Sequence, residues 1–317
     1  MVTSGQTAKQ LTDEFDKLVL SEIKGQEPGG VVLITQRGKV IYKKAFGFAN
    51  VELEVPMKEQ VVFNIASITK QFTAVAILQL VEQGKLSLQD EVTKYLPDYA
   101  VNGQRITIEN LLTHTAGIPG SAPDAMAKLQ ARRDVVSLQE IIATFRDRPL
   151  DFPSGTKWSY SNNGYMLLGA IIEKVSGSSY SEYLEKNIFK AIGMTQTHFG
   201  DDYVILKNRP ASYLYSRAES RFLNARNDKI ELSYSAGAIQ STAEDLFKWS
   251  EALKSHKLIR KESLEKAQTE YKLSNGKGTN YGYGWFIGNI QGSPIIEHGG
   301  NMGGFMSHAI YLTGEDV

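Results

Sequence analysis

Ser67-Ile68-Thr69-Lys70 opens a long apolar stretch, pairing a hydroxyl with an amine three residues further on. A serine hydroxyl is a poor nucleophile until a base takes its proton. On a helix, residues three apart lie on one face, so a lysine at 70 can reach a serine oxygen at 67. The segment from Gln71 to Val81 is apolar on most of its circumference, which predicts a buried helix ended by Gly84. Close to the start of such a helix, desolvation and the positive end of the helix dipole both favour the neutral amine. That is the form that acts as a base.

The four-residue pattern alone carries no chemistry. It recurs at Ser21/Lys24, Ser154/Lys157, Ser263/Lys266 and Ser274/Lys277. The first and third sit in polar, amphipathic helical sequence and the other two in Gly-containing loops, so all four read as solvated surface pairs. Ser67/Lys70 differs because a buried lysine is costly unless it has a purpose.

Two further boxes carry compatible chemistry. Tyr160-Ser161-Asn162 contains the chain's single Tyr-x-Asn and stands just before a predicted helix. A tyrosine there can exchange a proton with the serine and a leaving group if a neighbouring cation lowers its pKa. Asn162 offers an amide able to hold both the lysine and a substrate carbonyl. The third box is His298-Gly299-Gly300, at the end of a predicted strand. Its glycines would let a substrate backbone approach closely, and His298 can present a proton or a positive charge. His198-Phe199-Gly200 matches the same loose pattern but falls in a connecting segment, and His198 reads as structural.

The elements that must position these residues follow from periodicity and punctuation. Residues 8–24 predict an amphipathic helix, and strands 30–36 and 39–45 flank Arg37-Gly38, a hairpin turn. From about 67 to 190 the pattern is mostly helical, interrupted by the turn-rich loop Thr113 to Gly120. Asn163 to Val175 predicts a helix capped by Ser161 or Asn162 and closed by Gly177. Ser241-Thr242-Ala243-Glu244-Asp245 predicts a capping box and a further helix. Strand signals return at 283–287, 293–298 and 305–312. The resulting expectation is an α/β (α+β) fold with one antiparallel sheet built from both chain ends. Residues 1–66 and 233–317 would form the sheet domain and 67–232 a mostly helical one, with the active site between them.

Composition excludes several function classes. The 317 residues are 42% hydrophobic and 22% charged, and 35 basic residues balance 35 acidic ones. No run of one sign favours nucleic acid or an anionic membrane. No apolar run approaches the roughly 20 residues of a membrane helix. There is no cysteine, which excludes disulfides and thiolate chemistry, and five histidines show no paired spacing for a metal. No cofactor is implied. The polar start, Met1 to Gln6, has no signal-peptide core, which leaves a cytoplasmic protein or an exported one whose signal is not in this sequence.

Ser67-x-x-Lys70, Tyr160-x-Asn162 and His298-x-Gly300, in that order, resemble the serine β-lactamase and penicillin-binding protein superfamily. Leu111 to Gly117, Trp158 to Tyr165 and His298 to Phe305 look like its class C β-lactamase branch, with the DD-peptidases, D-aminopeptidases and related esterases. The resemblance implies that Ser67 forms an acyl-enzyme and that Lys70 and Tyr160 move protons. It also implies that Asn162, His298, Gly299, Gly300 and Asn301 contact substrate, with the N–H groups of Ser67 and Asn301 as the oxyanion hole. The substrate would be a small molecule or peptide (a D-peptide, an ester or a β-lactam), the setting periplasmic or secreted, and the oligomeric state is left open.

Two departures shape the expectation. Class C β-lactamases carry Lys-Thr-Gly as the third box, which this chain lacks, so peptide or ester hydrolysis is expected ahead of β-lactam turnover. Relatives also continue past the strand at 305–312 with another strand and a helix, so this strand is expected to leave an open edge. The alternatives are a carboxylesterase of broad specificity and a penicillin-binding sensor or scaffold without turnover.

Overall fold

The computed structural model describes residues 8–23, 25–101, 103–120, 123–226 and 228–317. The polar start and Lys24, half of one surface Ser-x-x-Lys pair, lie outside the described residues. Helix α1 (Ala8–Glu22) leads into a hairpin of β1 (Gly30–Gln36) and β2 (Lys39–Phe46). Gln36 pairs with Lys39, so Arg37 and Gly38 form a two-residue turn, and both have positive φ, 52° and 72°. That geometry matches the right-handed twist of the strands. Asp16 on α1 accepts hydrogen bonds from Tyr42 (2.7 Å) and Lys44 (2.6 Å), tying the helix to β2.

The axis of the core is α2 (Thr69–Glu82), which follows the tight turn Ala66–Ile68. Eleven of its 14 residues are buried, so it is enclosed on nearly all sides rather than lying on the surface. Phe72 stacks on Trp249 at 3.9 Å and meets Phe189 edge-on at 5.9 Å. Helix α3 (Asn162–Ser176) is capped by Ser161, whose Oγ accepts from Gly164 N at 3.1 Å, and it ends at Gly177 with φ 72°. The choice left open between Ser161 and Asn162 thus falls to Ser161, which frees the Asn162 side chain.

Between α2 and α3 the chain is less helical than its pattern suggests. It forms three short helices, Ile108–Leu112, Pro123–Gln130 and Leu138–Ala143, joined by turns. Two of these have complete capping boxes, Thr107/Asn110 and Ser137/Glu140. At α4 (Ala243–Lys254) only half of the expected box forms. Thr242 accepts from Asp245 N, but the Asp245 carboxylate turns away to Gln196 N (2.8 Å) and Thr197 Oγ1 (3.0 Å). Tertiary partners outcompete the local reciprocal bond there. His198 lies in a two-residue strand, His198–Phe199, on Ile239–Ser241, with its side chain exposed.

The mixed α/β class with antiparallel sheets is the one expected. The sheet, however, comes in two pieces. One is the β1–β2 hairpin; the other is the meander β3 (Phe286–Ile290), β4 (Ser293–Met302) and β5 (Phe305–Leu312). Among the described residues no ladder joins β1 to β5, so the inner edge of each strand is open. An apolar groove of about 1120 Å³ separates them, walled by Leu33, Phe247, Leu253, Phe305 and Tyr311. At one end the gap is spanned by Arg37 N, which donates to the Asp316 carbonyl at 2.8 Å. Among the described residues no helix is long and apolar enough to cross a membrane.

Candidate active site

Lys70 is fully buried, and its Nζ lies 2.7 Å from the Ala236 carbonyl oxygen, 2.8 Å from Asn162 Oδ1 and 3.1 Å from Ser67 Oγ. Burial drives its pKa well below the lysine range, and no carboxylate among the described residues forms an ion pair with it. A neutral amine has two N–H bonds and one lone pair. The Ala236 and Asn162 oxygens can only accept, so they take both N–H bonds. The lone pair is left facing the one partner that can donate, the Ser67 hydroxyl.

The positions of these groups have local causes. Ser67 is the one partly exposed residue in the run from Asn64 to Leu78. It lines a cleft of about 380 Å³ together with Asn162 and Asn301. Asn162 is the first residue of α3, placed by the Ser161 cap. Ser161 N in turn donates to His114 Nδ1 at 3.1 Å, and Ser159 N donates to the His114 carbonyl at 3.0 Å. A buried histidine, 1% exposed, therefore pins the Tyr160 box from behind.

Tyr160 departs from expectation in its charge state. Burial pushes its pKa up, and the nearby Ser67 hydroxyl offsets this only in part. Lys70 Nζ sits 4.7 Å from the ring centroid but is held neutral, so the cation that was to lower the tyrosine pKa is absent. The hydroxyl stays protonated. It is buried and makes no hydrogen bond of good geometry, as is true of His114 Nε2 and Trp158 Nε1 in the same aromatic cluster. Unsatisfied buried groups of this kind cost about 1–3 kcal/mol each.

His298 also differs. It is 2% exposed, and burial above all pushes its pKa down, to about 3. Its Nδ1 lies 2.7 Å from the Gly299 carbonyl, an acceptor, so Nδ1 carries the proton. Nε2 then accepts from the Tyr281 hydroxyl at 3.1 Å. The ring is neutral with both nitrogens engaged, and it supplies no positive charge to a substrate.

The two glycines of the third box separate by role. A Cβ on Gly300 would lie 2.2 Å from the Ile65 carbonyl and 3.1 Å from Ala66 Cβ, so this glycine lets β4 pack against the turn that carries Ser67. It faces protein rather than substrate, contrary to expectation. Gly299 is exposed, and its nearest obstacle would be the Ser307 carbonyl at 3.7 Å. Asn301 lines the cleft together with Ser67 and Asn162.

Backbone strain gathers at the same place. Most non-glycine residues with positive φ lie in exposed turns; Ala66 (45°), His114 (58°), Tyr234 (37°) and the half-buried Asp316 (54°) do not, and the first three lie around Ser67 and Lys70. Ala66 precedes Ser67, His114 braces the tyrosine box, and Tyr234 begins the turn that presents Ala236. Sequence reasoning missed the Ala236 carbonyl, His114 and Tyr281. A backbone oxygen has no sequence signal, whereas the histidine in Leu112-Thr113-His114-Thr115 is visible in the sequence as part of a turn-rich, family-like segment, with no role assigned to it.

Residues 8–317 match the family model described as Beta-lactamase, and the chain belongs to that family. It is 32% identical over 300 residues to a penicillin-binding protein of Bacillus subtilis (strain 168), covering 89% of this chain and 64% of the relative. The chain spans about three-fifths of the length of the curated relatives it matches. Among solved structures, an octameric penicillin-binding protein homologue from Pyrococcus abyssi superposes with TM-score 0.81 at 32% identity, over 96% of this chain and 70% of that one. A D-stereospecific amidohydrolase from Streptomyces sp. does so with TM-score 0.78 at 28% identity, over 90% and 86%.

Proposed function

We propose that the protein is a serine hydrolase that cleaves amide or ester bonds through an acyl-enzyme, with D-amino-acid peptides or esters favoured over β-lactams. The observation that carries this reading is the triple coordination of Lys70, which leaves its lone pair for Ser67. Ser67 Oγ attacks the carbonyl carbon while its proton passes to Lys70. The N–H groups of Ser67 and Asn301 would hold the oxyanion, each contributing about 3–4 kcal/mol. Tyr160, protonated and unpartnered, donates its proton to the leaving group as the carbon–heteroatom bond breaks, and it recovers a proton from Lys70, which returns to the neutral amine. Water then cleaves the Ser67 ester, releasing the acid and restoring the hydroxyl.

The preference within this class rests on charge. Among the described residues lining the cleft, Lys229 is the only cation, and its Nζ already donates to the Asp134 carbonyl (2.8 Å) and lies 3.6 Å from Glu231. With His298 neutral, a β-lactam carboxylate has no ready partner. The apolar wall of Met126, Met166, Leu232 and Met302 suits an uncharged substrate group. That wall also favours a second reading, a broad carboxylesterase.

Intact mass spectrometry with a β-lactam, a D-Ala-D-Ala peptide and a p-nitrophenyl ester tests the reading. A transient acyl adduct is expected with the ester or the peptide, absent in Ser67→Ala at unchanged melting temperature. Labelling that survives Ser67→Ala identifies a different nucleophile. An adduct that never turns over points to a sensor instead.

A further inference from the structure

Tyr234 adopts φ 37°, ψ −129°, a conformation that few residues other than glycine take. Strain of this order costs about 1–3 kcal/mol and persists only where the surroundings impose it. Here the surroundings are specific. The Tyr234 hydroxyl donates to Glu173 Oε1 on α3, and the same oxygen accepts from Tyr180 N at 2.9 Å. The Tyr234 ring packs against Tyr180 (5.3 Å) and Phe199 (5.4 Å). Gly169 makes room, since a Cβ there would lie 2.2 Å from Ser235 Oγ and 3.0 Å from Tyr234 Cε1.

The consequence appears two residues on. The reversal at Tyr234 begins the short helical turn Tyr234–Gly237, closed by Ala238 N donating to the Tyr234 carbonyl at 2.8 Å. Two successive carbonyls of this turn then meet two residues one turn apart on α2. Ser235 O accepts from Thr73 Oγ1 at 2.6 Å, and Ala236 O accepts from Lys70 Nζ at 2.7 Å. Without the reversal the Ala236 oxygen would not point at the amine.

We propose that Tyr234, anchored on Glu173, is a positioning residue for Lys70. Its forced turn aims the Ala236 carbonyl at the amine, which leaves the lone pair only the Ser67 proton to accept. The proposal rests on the reading of Ser67 as nucleophile and Lys70 as base. Tyr234 itself touches neither and acts through the backbone. The titratable groups facing Lys70 are Tyr160 and Tyr165, whose rings lie 4.7 and 5.5 Å from Nζ, together with His114 and His298. The tyrosines are pushed up and the histidines down, so all four stay neutral near neutral pH, and Lys70 is the one group among them that can set an acid limb.

The test compares Tyr234→Phe, which keeps the ring between Tyr180 and Phe199, with Glu173→Leu and Glu173→Gln. Each is assayed for kcat, KM and pH–rate profile on a p-nitrophenyl ester. Tyr234→Phe and Glu173→Leu should lower kcat roughly tenfold to a hundredfold with KM little changed, as expected for a misplaced catalytic group. The acid limb should move to higher pH, because a loosened turn admits water to the amine and relieves the desolvation that keeps it neutral. Glu173→Gln keeps an acceptor oxygen and should retain the rate. Wild-type kcat and acid limb in Tyr234→Phe and Glu173→Leu would overturn the proposal. So would a kcat loss that tracks a lower melting temperature with the acid limb unmoved, which marks a purely structural role. Labelling that survives Ser67→Ala would instead remove the parent reading.

Discussion

The groove between β1 and β5 and the cleft at Ser67 are two cavities of this molecule that size ranks against chemistry. The groove encloses about 1120 Å³ and the cleft about 380 Å³. The groove lies between two open strand edges, walled mainly by apolar side chains. The cleft borders a buried amine held by three oxygens, two histidines forced neutral and a backbone bent the wrong way at three residues. A large apolar pocket is the default expectation for a ligand site. Here it marks a gap between two sheet pieces, and the candidate site is the smaller cavity, set apart by the buried polar groups and backbone strain around it.

That contrast can be broken first at the third box. Gly300→Ala puts a Cβ 2.2 Å from the Ile65 carbonyl, so β4 must shift from the turn that carries Ser67. A loss of about 1–3 kcal/mol in stability is expected, with turnover lowered well beyond that of Gly299→Ala. Gly299→Ala meets nothing closer than 3.7 Å and should fold normally. Equal melting temperatures and rates for the two variants would show that Gly300 does not hold the wall of the cleft in place.

A second test uses acid. His298, pushed down to about 3 from the ordinary histidine value near 6.5, and His114, also pushed well down, enter the folded state neutral, chiefly through burial. Below pH 6.5 the unfolded chain binds protons that the folded protein excludes. This contribution to stability is complete above about pH 6.5 and is lost as pH falls from there towards 3, at up to ~1.4 kcal/mol per pH unit for each residue. Urea midpoints measured between pH 7 and pH 4 should fall accordingly, and less steeply in His298→Gln. Midpoints that stay level over that range would mean that the two rings are protonated in the fold.

The smallest effect belongs to the groove. Ile310 on β5 is 41% exposed and lines the open gap. Ile310→Lys should change stability by less than about 0.5 kcal/mol and leave ester turnover untouched, while reducing self-association through the β5 edge. Light scattering and a rate assay on the same samples check both. A fall in turnover would couple the groove to the cleft and dissolve the distinction between them.

The sequence by itself determined the elements whose causes are local. Arg37-Gly38 specifies its hairpin because two residues of positive φ suit the strand twist, and Ser161 with Gly177 marks both ends of α3 through bonds made within a few residues. The nucleophile and base candidates were legible because three residues along a helix suffice to bring them together. The resemblance of three boxes also pointed to the family in which the chain is found. Tertiary structure alone decided what those residues are chemically. The Ala236 oxygen that takes one of the Lys70 protons comes from 166 residues away in the chain, with no side-chain signature. The neutral state of His298 and the protonated state of Tyr160 follow from how completely other segments bury them. Gly300 faces protein rather than substrate because the Ile65 carbonyl stands against it. Charge state and close approach depend on what surrounds a group in space, and short spacings in the chain do not encode that.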